Sequence, residues 1–286
     1  MCHFNFFAMS QLRQQMISLM DREQYARKTI QNYVSTVAQF AKFHSKCPSL
    51  LYDDHIGQYL DHLCEKGASP SAVNITHSAL RWFYTRVMKR EWNEQLFRRP
   101  RRKKPLPNVL SPEEVKAIIN STNNLKHYAL LMLLYSSGLR PGEVVKIQSA
   151  DIDAKRMMLR VRQGKGNKDR YTILSPICLQ VLRRYWKVYR PKGGWLFEGM
   201  IQGEPYSVRS LQQLFRKARQ KAGMRKHVTP HSLRHSFATH LLEEGVDTLT
   251  IKELLGHNNL QTTAIYLHVR QSRLTKLENP LDRIWS

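Results

Sequence analysis

A ten-residue segment, Arg98–Pro107, constrains the fold of this chain more than any other feature. It contains six arginines or lysines and three prolines. Because proline interrupts helices and like charges repel one another, this segment is predicted to be extended. The residues on both sides show regular apolar patterning, and 286 residues is a typical length for two domains. The sequence therefore predicts a basic linker, residues 96–110, between two folded domains.

The chain before the linker has apolar residues at the three- and four-residue spacings of amphipathic helices. Four helices are predicted there, at Gln11–Met20, Arg27–Phe43, Asp54–Glu65 and Pro70–Arg90. The last helix follows Ser69, a good N-cap, and has proline at its first position. Residues 10–95 are thus predicted to form a small helical bundle, a pattern that by itself indicates no particular purpose.

The chain after the linker has a mixed pattern. A capping box, Ser111–Glu114, opens it, and a glycine-rich turn between two alternating segments, Met157–Arg162 and Arg170–Leu174, predicts a β-hairpin. The predicted helices are Pro112–Asn120, Lys126–Ser136, Pro176–Tyr189, Ser207–Ala222, Pro230–Glu243, Thr248–Leu255 and Leu260–Val269. The expected fold is mainly α with a small β-sheet (α+β), with a second domain at residues 111–270 and a C-terminal tail at residues 271–286.

The net charge indicates a polyanionic partner. The chain has 46 Lys and Arg against 22 Asp and Glu, which leaves +24. Neutralising nucleic-acid phosphates releases condensed counterions, so a nucleic acid is the expected partner. The candidate DNA contacts are the cations of the linker and the hairpin, namely Arg98, Arg99, Arg101, Arg102, Lys103, Lys104, Lys168 and Arg170. The linker run could instead be merely solvated, or serve as a nuclear-localisation signal.

Several other classes of protein do not fit. The longest apolar run, Tyr128–Tyr135, has eight residues, whereas a membrane span needs roughly 20. The first ten residues lack the basic region of a secretory signal. The four cysteines show neither CxxC nor disulfide-like spacing. We expect a cytoplasmic, nucleoid-associated protein.

Six residues of the second domain together indicate one kind of chemistry, although each of them taken singly has an ordinary structural explanation. Arg140 and Glu143 could be an exposed helix pair, Lys165 a solvated turn residue, and Tyr266 part of a core. His231 and His235, four residues apart, would also suit a metal, but no acidic ligand is near and Arg234 would repel a cation. The candidates taken together are Arg140, Lys165, His231, Arg234, His257 and Tyr266.

Together these side chains suit attack on a phosphodiester. Two guanidiniums can clamp the non-bridging oxygens, on which negative charge develops. A tyrosine can act as the nucleophile, and the leaving oxygen needs a proton. The segment that begins at His231 adds a helix N-terminus, which also favours an anion.

These residues, in this order, resemble the tyrosine recombinase (phage integrase) family. The resemblance covers the whole chain and rests on five motifs, namely Gly138-Leu-Arg-Pro-Gly-Glu143, Gly164-Lys-Gly166, the segment His231–His240, Leu254-Leu-Gly-His257, and Tyr266. It implies that Arg140 and Arg234 clamp the scissile phosphate and that Lys165 protonates the departing 5′ oxygen. By the same resemblance, Tyr266 forms a 3′-phosphotyrosyl link.

The resemblance also assigns supporting roles and the assembly. His231 and His257 would assist proton movement, and Glu143 would brace the arginines. No nucleotide cofactor and no metal are expected. Four protomers would exchange strands between two DNA sites through a four-way junction. We hypothesise that an apolar stripe in residues 271–286 docks on a neighbouring protomer, although it could pack on its own domain.

The subfamily and two rival functions stay open at this point. An enzyme of the Xer or mobile-element type fits the length, and an integron-type integrase is the other option. A catalytically silent DNA-binding accessory protein would explain the charge and the helices. A metal-dependent nuclease would use the histidines, and it would be inhibited by a chelator.

Overall fold

The structure, a computed structural model, describes residues 6–94, 97, 108–162, 169–256 and 263. The chain divides into two compact units, residues 1–104 and residues 105–286. Within the described ranges, no helix has the length and apolar character needed to cross a membrane.

The described part of the first unit contains four α-helices. They are α1 Phe6–Arg22, α2 Arg27–His44, α3 Asp53–Glu65 and α4 Pro70–Trp82. The core between them includes Met20, Phe40, Leu80 and Phe83, all of which are almost fully buried. The four predicted helices are confirmed, and Ser69 caps α4 as expected by accepting a hydrogen bond from the backbone N–H of Ala72.

The end of the fourth helix differs from the prediction. The α-helix stops at Trp82 and continues as a π-helical turn, Phe83–Val87, rather than reaching Arg90. Tyr84 Oη donates to the carbonyl of Pro48, and Arg90 donates to the carbonyl of Leu51. These bonds hold the end of the helix against the connection between α2 and α3, a long-range contact that helical periodicity does not show.

The second unit combines seven helices of the described residues with a small sheet. The helices are α5 Pro112–Asn120, α6 Leu125–Ser136, α7 Pro141–Val144, α8 Pro176–Tyr189, α9 Val208–Lys221, α10 Pro230–Glu243 and α11 Thr248–Leu255. The strands are β1 Ile152–Asp153, β2 Met158–Val161 and β3 Arg170–Ile173. The predicted bounds of α5, α8, α10 and α11 are confirmed, and β1 was not predicted because two residues carry no detectable alternation. Of the helix predicted at Leu260–Val269, Thr263 alone lies within the described residues.

Helix α6 forms the centre of the second unit. It is apolar on all sides, and Ala129, Leu130, Leu131, Leu133 and Leu134 are fully buried. A helix without a polar face must be covered on every side. Helices α8 and α10 pack on α6, so the turn that follows α6 lies close to them.

The sheet directs one basic side chain inward. Strands β1, β2 and β3 pair antiparallel in that order, with Val161 opposite Arg170 and Arg160 opposite Tyr171. Side chains alternate between the two faces of a strand. Thr172 is buried and donates to the carbonyl of Ser137, whereas Tyr171 is exposed. Arg170 shares the inward face with Thr172.

Candidate active site

The turn after α6 places Arg140. Gly138 has φ = +57°, a left-handed conformation that favours glycine, and Arg140 then caps the short helix α7. The backbone N–H of Arg140 donates to Glu143 Oε2 across 2.8 Å, and its Nη1 donates to Oε1 of the same carboxylate across 2.6 Å. Arg140 and Glu143 therefore form a capping pair in contact, as their spacing predicts.

Helix α10 brings Arg234 to the same place. Its side chain is almost completely buried, with Nη1 donating to the carbonyl of Gly138 across 2.7 Å and Nη2 donating to that of Leu255 across 2.6 Å. Arg234 Nη1 also lies 3.7 Å from Glu143 Oε2. Two arginines that are 94 positions apart in sequence thus meet around one carboxylate.

Arg170 approaches that carboxylate from the strand side. Its Nη1 and Nη2 donate to the two oxygens of Glu143, each across 2.9 Å, in a bidentate pair. Its Nε donates to the carbonyl of Leu254 across 3.0 Å. Only 10% of its side chain is exposed. Together, four side chains form the arginine cluster, namely Arg140, Arg170, Arg234 and Glu143.

The end of helix α11 joins the arginine cluster. Three successive carbonyls accept from it, since Leu254 accepts from Arg170, Leu255 from Arg234 and Gly256 from Arg140. The last carbonyls of a helix lack helical partners and carry the negative end of its dipole, so cations are favoured there. Gly256 ends the helix with φ = +62°.

Glu143 is held ionised at the centre of the cluster. Burial would raise the pKa of Glu143, but the hydrogen bonds and charges of Arg170, followed by those of Arg140, outweigh it and lower the pKa to about 2. The cluster therefore combines three guanidinium charges with one carboxylate charge, a net charge of +2. This surplus suits an anion such as a phosphodiester.

Two histidines of α10, His231 and His235, have lowered pKa values near the cluster. His231 is exposed at the start of the helix, yet partial loss of solvent, followed by the charges of Arg234 and Arg140, lowers its pKa. Burial and the proximity of His231 lower the pKa of His235 to about 4. A neutral imidazole can accept a proton, which suits a general base. Within the described ranges, no three His, Cys, Asp or Glu side chains are placed to hold a metal ion.

The structure brings together Arg140, Glu143, Arg170, His231 and Arg234 among the predicted site residues. The other predicted positions lie outside the described residues, namely Lys165, His257, Tyr266, Lys168 and the linker cations Arg98, Arg99, Arg101, Arg102, Lys103 and Lys104. Sequence reasoning missed the contact of Arg170 with Glu143, since Arg170 was predicted as a DNA contact. The available signal was its strand parity with Thr172 and Leu174, which are both buried.

Comparison with known proteins gives the family. The phage integrase family matches residues 108–273, and the family "Phage integrase, N-terminal SAM-like domain" matches residues 12–94. The protein y4qK of Sinorhizobium fredii is 41% identical over 276 residues, covering 96% of this chain and 89% of that protein. Tyrosine recombinase XerA of Pyrococcus horikoshii is 36% identical over 219 residues, or 76% of each chain.

A solved structure shares the fold. The lambda integrase tetramer bound to a Holliday junction superimposes with a TM-score of 0.71 at 17% identity, covering 90% of this chain and 76% of that one. The mainly helical fold with its small three-stranded sheet is therefore shared with lambda integrase.

This chain belongs to the phage integrase family. It is a tyrosine-type site-specific DNA recombinase. The two rival functions, a silent accessory protein and a metal-dependent nuclease, are not favoured by these relatives.

Proposed function

We propose that Arg140 and Arg234 bind the scissile phosphate and that Tyr266 cleaves the strand. The observation that carries this proposal is the meeting of the two arginines at adjacent carbonyls, Leu255 and Gly256, around Glu143. A guanidinium has five N–H donors, and the two bonds described for Arg140 side-chain nitrogens leave others for a ligand. With 22% of its side chain exposed, Arg140 is the more accessible of the two arginines.

The chemistry is a transesterification that conserves bond energy. The phenolic oxygen of Tyr266 attacks phosphorus, and the bond from phosphorus to the 5′ oxygen breaks, which leaves a 3′-phosphotyrosyl link. The tyrosine proton passes to a histidine, for which neutral His231 is suited, with His257 assisting. Lys165 donates a proton to the departing 5′ oxygen. Resealing reverses these steps with the 5′ hydroxyl of the partner strand, so no nucleotide is consumed.

The arginine cluster supplies the electrostatic part of catalysis. Negative charge on the phosphoryl oxygens increases in the transition state, and fixed donors that already face it need no reorganisation. The net charge of +2 is held in place by Glu143 and by the end of α11. Removing one such donor in other enzymes costs on the order of 10²–10³ in rate.

The assembly follows from the same proposal. We place the protein on double-stranded DNA sites as a homotetramer, with the cations of the linker, residues 96–110, against the DNA backbone. The tetramer of the structural neighbour lambda integrase supports this. We also propose that the reaction takes place in the nucleoid, where the DNA lies. We further propose that the protein belongs to a mobile element. Residues 271–286 would dock on the neighbouring protomer.

A nicked suicide substrate tests the cleavage proposal. The expected product is a protein–DNA adduct on a denaturing gel, formed equally well in EDTA and absent in Tyr266→Phe. The matched control is Tyr171→Phe, since Tyr171 is 56% exposed on the outer face of β3. Cleavage that EDTA abolishes and that leaves no adduct would contradict the proposal, and an adduct on Tyr266→Phe would contradict the choice of nucleophile.

A truncation tests the assembly. Deleting residues 272–286 is expected to leave binding to a single site intact and to abolish the complex of two sites, as seen by native gel electrophoresis with crosslinking. An unchanged two-site complex would overturn the role given to the tail.

A further inference from the structure

The side chain of Arg170 makes three hydrogen bonds inside the protein. Two go to the oxygens of Glu143 and one goes to the carbonyl of Leu254. In the proposed mechanism Arg140 and Arg234 bind the phosphate, and Arg170 has no assigned role. A buried guanidinium loses much hydration, and such bonds must compensate for that loss. Arg170 is therefore a built-in part of the site.

We propose that Arg170 is a positioning residue for DNA cleavage, which orients Glu143 and the end of helix α11 so that Arg140 and Arg234 face the scissile phosphate. This inference rests on the proposed function of the same site. It assigns Arg170 to the interior of the active site and not to the DNA backbone.

Arg170 orients the carboxylate of Glu143. A bidentate pair fixes the plane of a carboxylate as well as its position. With its two oxygens in line with Arg170, Glu143 offers Oε1 to the side chain of Arg140 and Oε2 to the backbone N–H of Arg140. Arg140 and Arg170 share the single negative charge of Glu143. The charge of Arg140 is therefore only partly neutralised and can still attract a phosphate. Without Arg170, Glu143 would be free to pair fully with Arg140.

Arg170 also contacts the end of α11. Arg170 Nε holds the carbonyl of Leu254, and its Cδ packs on Gly256, where a Cβ atom would lie 2.6 Å away. Real Cβ atoms essentially never approach another heavy atom so closely, so the two residues are fitted to each other. His257 comes next in the sequence, and Tyr266 follows Gly256 by ten positions. Arg170 therefore fixes the start of the segment that carries the proposed nucleophile.

Arg170 lies on the inward face of β3, away from the exposed side chains that could contact DNA. Tyr171, the next residue of β3, is exposed, whereas Arg170 shares its face with buried Thr172. Arg160 lies opposite Tyr171 and is paired with Asp169 at 2.6 Å on the exposed face. A cation on that outer face is thus available as a matched control from the same sheet.

The test compares Arg170→Gln and Arg170→Lys with Arg160→Gln in the full-length protein. Binding to a DNA site is measured by fluorescence anisotropy over a range of salt concentrations. The rate of adduct formation is then measured at saturating protein on a suicide substrate. For Arg170→Gln we expect unchanged affinity and salt slope, with a rate on bound DNA lower by about 10²-fold, as small misplacements in active sites produce. Arg170→Lys keeps the charge without the fork and should recover part of the rate.

Non-additivity supplies a readout that a merely structural role would not change. Combining Arg170→Gln with Glu143→Gln should cost much less than the product of the two single effects, because Arg170 acts through Glu143. A salt slope lowered by about one, with the rate on bound DNA unchanged, would instead make Arg170 a DNA contact and overturn the inference.

The remaining outcomes also test the role proposed for Arg170. A wild-type rate for folded Arg170→Gln would overturn the inference and leave the proposed function standing. If Arg170→Gln does not fold, as judged by circular dichroism, the rate of Arg170→Lys on bound DNA decides in its place, and a wild-type rate for that variant would overturn the inference. Absence of an adduct from the wild-type protein would overturn the proposed function and this inference with it.

Discussion

Ser236 Oγ accepts a hydrogen bond from the backbone N–H of Leu110 across 2.8 Å, although the two residues are 126 positions apart. His240, one turn further along α10, bonds to the carbonyl of Leu110 across 3.0 Å. Both polar groups of Leu110 are therefore taken up by the helix that carries Arg234. The entry of the chain into the second unit is fixed on the helix that builds the site.

The Ser236 contact yields a stability prediction. Ser236→Ala should leave the buried N–H of Leu110 without its acceptor and lower the free energy of unfolding by about 1–3 kcal/mol. A contrasting change on the same helix is Thr239→Val. In the part of the chain that the structure describes, Thr239 Oγ1 is buried and has no hydrogen-bond partner. Replacing it with a methyl group should stabilise by about 1 kcal/mol. Urea unfolding measures both, and equal losses would contradict the pair of expectations.

Arg140→Ala and Arg234→Ala should abolish cleavage while leaving most DNA binding intact. The expected loss of adduct formation is about 10³-fold, since each change removes fixed donors from the phosphate. Affinity should stay within about threefold because the basic surface supplies most of it. The control is Arg156→Ala, whose side chain is 84% exposed and 4.0 Å from Asp153. A comparable fall in cleavage for that control, or an intact rate for Arg140→Ala, would contradict the assigned roles.

Gly138→Ala should damage both stability and cleavage. A left-handed φ is strained for alanine, and the added Cβ would lie 2.6 Å from Cε1 of Phe237. The expected cost is about 2–4 kcal/mol, and cleavage should fall because the Gly138 carbonyl anchors Arg234. Gly142→Ala is the matched control from the same motif, since its Cβ would meet nothing within 4 Å. Thermal unfolding and adduct formation compare the two, and equal behaviour would contradict this account.

Glu143 should make the stability of the second unit depend on acid pH. Its pKa is about 2 in the folded chain and 4.5 in the ordinary state, so its contribution is complete above pH 4.5 and is lost as the pH falls toward 2. The full contribution is about 3 kcal/mol, of which about 2 kcal/mol is lost between pH 7 and pH 3. Glu143→Gln should remove this part of the pH dependence in urea unfolding. Glu243→Gln, an exposed carboxylate on α10, should retain it.

Prediction from the sequence succeeded where the signal is local. Helices α5, α8 and α10 begin with a cap residue followed by proline, and their predicted bounds are confirmed because caps and proline act within one turn. Arg140 and Glu143 met as expected because their spacing alone places them on one helix face.

Long-range contacts account for what the sequence did not show. The partners of Arg170 come from α7 and α11, 27 and 84 positions away, and periodicity carries no information on such pairs. The π-helical turn after Trp82 likewise depends on bonds to residues near Pro48. In both places the hydrogen-bond partners of a polar side chain come from tertiary packing, which a local sequence pattern does not show.

The three carbonyls at the end of α11 orient the arginines with atoms that every amino acid possesses. Substitution at position 254 would keep its oxygen in place as long as the helix keeps its path. The end of α11 thus has to follow a particular backbone path, whereas the guanidiniums require arginine at particular positions. A redesign that altered the length of α11 by one residue would rotate its last oxygens by about 100° and dismantle the cluster with every charged side chain still present.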